Sequence, residues 1–330
     1  MLAAVEHLLA ALAVAAGLIG LVLGADRFVT GAKDLALRLG MSPLMVGMIV
    51  VGIGTSAPEM IVSAMAALDG DGGIAVGNAL GSNVSNIGLV LGLTAVVAPI
   101  PLDPKTVRRE FPFLLLVTVV FMGIFVGDRL DRWGGVALLV GFAVVMVRAI
   151  RGSRSGEGDA ATSDVELETP RSSMPVALGW LVLGLVVMVA GSRGVVWGSV
   201  EIARAIGLSE LVIGLTIIAI GTSLPELAAS VAAALRDEHE LALGNVLGSN
   251  AFNLVLVLPF PALLDPGPVD PMVLRRDYPA MILMTLLLAV LAAAGVKRGR
   301  LGRGAGLVLG AAFVGYLAVL IVEAQVPSGP

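Results

Sequence analysis

The sequence predicts an all-α membrane protein of ten transmembrane helices, arranged as two five-helix repeats of inverted topology. Three observations predict it: an apolar composition, recurring apolar stretches of spanning length, and a set of motifs duplicated at one constant offset. Hydrophobic residues make up 57% of the chain and charged residues 14%, and the mean hydropathy is +0.98. Too few polar groups remain to coat a water-soluble globule of this length.

A helix needs roughly 20 apolar residues to cross the hydrocarbon core. Apolar runs between polar breaks place the spans near 4–38, 43–68, 73–98, 110–127, 132–150, 174–205, 209–235, 240–264, 278–295 and 302–323. The first run carries Glu6 and His7 where a secretory signal would be basic, so it reads as a retained span. The first and sixth spans are long and carry Lys33, Asp34 and Glu201 near their ends, as expected of helices that run obliquely or along the surface. Residues 151–173 are rich in Ser, Gly and acidic groups and read as a flexible cytoplasmic linker. The expected units are therefore a first repeat at 1–150, the linker at 151–173 and a second repeat at 174–330.

The repeat itself is explicit. Gly54-Thr55-Ser56-Ala57-Pro58-Glu59 returns as Gly221-Thr222-Ser223-Leu224-Pro225-Glu226, 167 residues later. Gly77-Asn78-Ala79-Leu80-Gly81-Ser82-Asn83 returns at the same offset as Gly244-Asn245-Val246-Leu247-Gly248-Ser249-Asn250. Arg108-Arg109-Glu110-Phe111-Pro112 matches Arg275-Arg276-Asp277-Tyr278-Pro279 in the same way. Five spans per half is an odd number, so the second copy enters the membrane inverted. The distribution of Lys and Arg agrees: with both termini outside the cytoplasm, the cytoplasmic loops collect most of the basic residues. This is the pattern of a multi-pass protein of the cell (inner) membrane.

Within this frame Glu59 and Glu226 lie inside apolar spans, where an isolated charge costs about 2.5–3.5 kcal/mol even on insertion scales. A two-fold axis in the membrane plane brings both to one midplane centre. Pro58 and Pro225 lack a backbone N–H, which leaves the carbonyls of Gly54 and Gly221 without helical partners and predicts unwinding at the Gly-Thr-Ser segments. Thr55 and Ser56 stand four and three residues before Glu59, on its helical face, and Thr222 and Ser223 repeat this before Glu226. In the next spans Asn78, Ser82 and Asn86, and equally Asn245, Ser249 and Asn253, recur every four residues. Two carboxylates among carbonyl, hydroxyl and amide oxygens suit a hard cation, and Ca2+ takes six to eight such oxygens. Two negative charges balance one Ca2+ or two Na+.

Other classes are excluded by what the sequence lacks. Cysteine is absent and only His7 and His239 are present, so thiolate or imidazole metal chemistry has no raw material. Ser56 and Ser223 have no His or Lys at their depth to act as base, which argues against an enzyme, and no cofactor motif is present. A net charge of −4 spread over loops gives no nucleic-acid surface. Gly81, Ser82, Gly248 and Ser249 also fit close helix packing, Met41, Met45 and Met48 read as packing, and the two Arg-Arg pairs read as interfacial anchors. Asp26 has Arg193 as its repeat equivalent and is assigned no role.

The paired Gly-Thr-Ser-x-Pro-Glu and Gly-Asn-x-x-Gly-Ser-Asn motifs resemble the two α-repeats of the sodium/calcium exchanger branch of the cation/calcium antiporter superfamily. The likeness covers nearly the whole chain, and the doubled motif is highly specific. It implies exchange of Na+ for Ca2+ by alternating access, with the ions and the bilayer as partners and no cofactor. By resemblance, Glu59 and Glu226 are central calcium ligands shared with sodium, and Asn86 and Asn253 complete that centre. Thr55 and Thr222 add backbone oxygen, while Ser56, Ser82, Ser223 and Ser249 help form flanking sodium sites. The carbonyls of Gly52 and Ala219 match positions that face sodium, and the long first and sixth spans match helices thought to slide across the core. Many relatives carry aspartate at the position of Asn253, so a titratable group is missing from this centre. Proton-coupled exchange of calcium or another divalent cation is the alternative. Its branch resembles this chain less, since its acidic residue follows the Gly-Asn segment, where Gly81-Ser82-Asn83 stand here.

Overall fold

The computed structural model describes residues 2–122, 129–154, 169–207 and 219–325, together with Ile213, Thr216 and Ile217. The chain is helical almost throughout. In order, the helices are α1 (Leu2–Leu39), α2 (Pro43–Val46), α3 (Gly52–Thr55), α4 (Ala57–Leu68), α5 (Gly72–Ser85), α6 (Gly92–Val97), α7 (Pro104–Met122) and α8 (Arg132–Arg154). After the midpoint come α9 (Met174–Ala205), α10 (Ala219–Thr222), α11 (Leu224–Leu235), α12 (His239–Phe252), α13 (Pro259–Leu264), α14 (Tyr278–Val296) and α15 (Arg303–Gln325). Wider π-helical turns join α2 to α3, α5 to α6 and α12 to α13, so that each of these groups continues as one rod.

Six helical stretches among the described residues are long and apolar enough to cross a membrane. The span expected at 43–68 is broken, with its two parts bent by 41° at Ser56. The fourth span opens at Pro104, six residues before the expected start. Pro suits the first turn of a helix, and the Asp103 carboxylate accepts the Thr106 N–H at 3.1 Å. The last residues of that span, 155–168 of the linker and most of 209–218 lie outside the described residues.

Burial separates centre from rim. In the rod from His239 to Leu264, 94% of the most apolar stretch is buried, and in Gly72–Val97 72% is. The corresponding share is 28% in α1 and in α9, 33% in the α14 span and 22% in α15, which face outward. Two short antiparallel clasps tie the halves together. One joins β1 (Ile100–Pro101) to β4 (Arg300–Leu301), and the other joins β2 (Arg129–Leu130) to β3 (Gly267–Pro268).

Helices α1 and α9 lie antiparallel along a seam of small residues. Gly17 faces Gly191, Gly24 faces Gly184, Gly31 faces Ala177, and Ala10 faces Gly198. A Cβ placed on Gly17 would stand 2.5 Å from the Gly191 carbonyl oxygen, and one on Gly31 would stand 2.5 Å from that of Ala177. The seven-residue spacing keeps every contact on one stripe, and close van der Waals approach is what holds helices together where lipid removes the hydrophobic drive. The end of the linker docks here too: the buried Asp34 carboxylate accepts the Arg171 N–H at 3.1 Å and the Ser172 hydroxyl.

Arg276, expected as an interfacial anchor, is tied to Asp277 at 2.7 and 3.0 Å and to Glu323 at 3.0 Å. Met45 and Met48 pack together as expected.

Substituting Gly24→Leu wedges α1 from α9, because its Cβ already meets Gly184 O at 2.8 Å and Met188 N at 2.9 Å. Overpacking of this kind costs about 1–3 kcal/mol. Thermal unfolding in detergent should show a lowered midpoint for Gly24→Leu and none for Gly179→Ala, whose Cβ meets nothing within 4 Å.

Candidate functional site

Each broken span is built the same way. Ser56 (φ −77°, ψ 2°) ends α3 and precedes α4, and Ser223 (φ −87°, ψ 4°) ends α10 and precedes α11. Pro58 and Pro225 follow in the first turns, where a missing N–H is harmless, and Glu59 and Glu226 complete those turns. Both carboxylates therefore sit at the N-terminal ends of helices, where the aligned peptide dipoles favour negative charge.

The two glutamates are 0% and 1% exposed. Among the described residues, none of their four carboxylate oxygens has a hydrogen-bond partner. They lie close enough to act on one another electrostatically, with Ser82 beside Glu59 and Thr55 beside Glu226, outside hydrogen-bonding geometry. The hydroxyls of Ser56 and Ser223 and both amide atoms of Asn86 and of Asn253 are also buried and unpartnered. Asn86 and Asn253 each open a π-helical turn, where the widened backbone re-aims side chains. No cluster of three or more His, Cys, Asp or Glu exists among the described residues, so a cation here meets two carboxylates and otherwise neutral oxygen.

The halves meet at this place. The Thr55 hydroxyl donates to Val51 O and to Asn245 Oδ1, each at 3.1 Å, and lies 3.5 Å from Ser249 Oγ. Ser249 Oγ donates to Gly52 O at 3.4 Å, which also accepts the Ser56 N–H at 3.1 Å. Glycine permits the contact: a Cβ on Gly52 would stand 3.0 Å from Ser249 N, and one on Gly248 would stand 2.2 Å from Met48 O. Thr222 closes α10, half-buried, and Ala219 opens it.

A supporting layer lies behind the carboxylates. Asn78 donates to Glu59 O at 3.2 Å and to Ser63 Oγ at 3.0 Å. Asn245 does the same to Glu226 O at 3.3 Å and Ser230 Oγ at 2.9 Å. Sequence reasoning missed Ser63 and Ser230, although each stands one helical turn after its glutamate and the two share the 167-residue offset. It also missed Ser192, whose hydroxyl donates to Gly221 O at 2.6 Å. The expectation that this carbonyl is free is corrected accordingly: α9 supplies the partner that Pro225 removes. The repeat gives no signal for Ser192, since its equivalent is Ala25.

Comparison with known proteins covers nearly the whole chain. The family described as sodium/calcium exchanger protein matches residues 9–151 and 176–322. The inner membrane protein YrbG of Escherichia coli K12 is 42% identical over 317 residues, covering 95% of this chain and 97% of its own. The sodium/calcium exchanger MaX1 of Methanosarcina acetivorans is 30% identical over 340 residues, covering 92% and 96%. A solved structure of the sodium-calcium exchanger NCX_Mj superposes with a TM-score of 0.79 at 33% identity, covering 94% of this chain and 98% of that one.

Asn245→Ala removes the bonds to Glu226 O, Ser230 and Thr55 together, at about 1 kcal/mol for each neutral hydrogen bond lost. Its unfolding midpoint in detergent should fall below that of the parent protein, and an unchanged midpoint would remove Asn245 from the supporting layer.

Proposed function

The chain belongs to the sodium/calcium exchanger family, and on that premise we propose that it exchanges Na+ for Ca2+ by alternating access through a midplane site built on Glu59 and Glu226. In this reading, residues 1–150 and 174–330 are inverted five-helix repeats of a ten-helix protein of the inner membrane, joined by the cytoplasmic linker 151–173. Both termini lie outside the cytoplasm.

One observation carries the proposal. Among the described residues, two buried carboxylates stand at the N-termini of two broken helices with no counter-charge and no hydrogen-bond partner, beside unpaired amide and hydroxyl groups. A buried charge is retained only where something compensates it. A divalent cation balances both charges at once and draws on neutral oxygens for the rest of its shell. The assigned ligands are Glu59, Glu226, Asn86 and Asn253 at the centre, with backbone oxygen from Thr55 and Thr222. Ser56, Ser82, Ser223 and Ser249, with the carbonyls of Gly52 and Ala219, serve flanking sodium ions.

Exchange follows from charge balance. A site carrying two negative charges in an apolar interior is costly to move empty, so the conformational change proceeds with either one Ca2+ or several Na+ bound. Sodium coupling is favoured over proton coupling by the amides of Asn86 and Asn253. They leave the centre only the two carboxylates that calcium itself requires.

Proteoliposomes loaded with sodium and diluted into sodium-free buffer should take up radioactive calcium in proportion to the outward sodium gradient. Glu59→Gln and Glu226→Gln should each reduce uptake to that of protein-free vesicles. Uptake driven by a proton gradient without sodium would move the chain to proton-coupled exchange.

A further inference from the structure

The duplicated sequence makes departures from symmetry visible. If the halves are related by a pseudo-two-fold axis, each contact between them has a mate, found by shifting each partner 167 residues into the other half. The α1–α9 seam obeys this rule. The Gly17–Gly191 contact has Gly24–Gly184 as its mate, and Ala10–Gly198 has Gly31–Ala177.

The neighbourhood of Asp26 does not obey it. Arg236, at the end of α11, pairs with the Asp26 carboxylate and donates to Asp26 O at 3.1 Å and Thr30 Oγ1 at 2.7 Å. The mates of these two residues are Arg193 on α9 and Asp69 at the end of α4. They carry the same two charges with the places exchanged, the base now on the long helix and the acid at the helix end. Both side chains are exposed, and among the described residues neither has an ionic or hydrogen-bonded partner.

Packing shows the same imbalance. Phe28, Val29 and Ala32 of α1 form one cluster with Ala229, Ala233 and Leu241. On the first half, Ile74 is 61% exposed where its mate Leu241 is 1%, and Val62 is 38% exposed where its mate Ala229 is 2%. The α1–α9 pair thus leans on α11 and leaves the equivalent face of α4 and α5 uncovered.

An inverted repeat alternates between two conformations in which its halves exchange environments. We propose that Asp26, Arg236, Arg193 and Asp69 are working residues of the transport cycle. Their pairs, Asp26–Arg236 and Arg193–Asp69, are made alternately: when the α1–α9 pair moves onto α4, Arg193 meets Asp69 as Asp26 releases Arg236. This rests on the inverted-repeat reading above. Half-exposed ion pairs are weak, so neither contact locks the molecule. Forming one as the other breaks keeps the two conformations near balance, as a cycle that must visit both requires.

The chain contains no cysteine, so paired cysteines can be introduced cleanly. Asp26→Cys with Arg236→Cys, and Asp69→Cys with Arg193→Cys, should each be joined in membrane vesicles by a short bis-methanethiosulfonate reagent. Each joined pair should arrest flux, and reductant should restore it. Failure of the Asp69/Arg193 pair to join under every sodium and calcium condition, while Asp26/Arg236 joins, would overturn the proposal. Joining is read on a gel and needs no transport, so it is separable from a failure of calcium exchange itself. A second measurement uses single charges. Arg236→Gln and Arg193→Gln should shift the apparent calcium affinity on one membrane face in opposite directions, by roughly two- to fivefold. Shifts of the same sign, or none, would contradict it.

Discussion

Two carboxyl groups buried in an apolar interior, with no ionic or hydrogen-bonded partner among the described residues, are the constraint around which this molecule is built. Removing an ion from water costs several kcal/mol even after relaxation, and among the described residues no Lys or Arg is paired with Glu59 or Glu226 to offset it. The chain answers with backbone. It breaks two spans at Ser56 and Ser223, restarts each helix with proline in its first turn, and so aims two helix N-termini at the centre. Neutral oxygens and amides fill the remaining surface. A cation arriving from outside neutralises the pair, and in the proposed reading that compensation connects the fold to ion exchange.

Close approach between the halves depends on glycine. Gly47, Gly52, Gly244 and Gly248 bring the rod from α2 to α3 into backbone contact with α12, which places Thr55 within reach of Asn245. A second glycine stripe joins α1 to α9 at the rim. The two contacts serve different ends. The first sits beside the carboxylates and sets the geometry of the centre. The second unites two outward-facing helices that meet the centre through apolar packing of Phe28, Val29 and Met188 and through the Ser192–Gly221 hydrogen bond.

Much of this was legible in the residues, and the rest was hidden for identifiable reasons. The offset of 167 residues picked out both glutamates, both prolines and the Ser and Asn ladders, because those features lie within one element and repeat. The same offset relates Gly17, Gly24 and Gly31 to Gly184, Gly191 and Gly198, yet apolar composition masks a seven-residue glycine stripe in a long hydrophobic span. Contacts made across the halves, such as Thr55 with Asn245 and Ser192 with Gly221, depend on where two rods meet, and no local pattern encodes that. Asp26 stood out only as a mismatch with Arg193, and its meaning required seeing Arg236 beside it.

The central claim is that calcium and sodium share one site that owes its charge to Glu59 and Glu226. Equilibrium binding of radioactive calcium to the purified protein in detergent, titrated with sodium and with no gradient present, tests it most directly. The account requires one calcium bound per chain, displaced by sodium in a competitive and cooperative manner, and lost when both glutamates are changed to glutamine. Calcium that stays bound at saturating sodium, or that binds equally well to the doubly substituted protein, would contradict it.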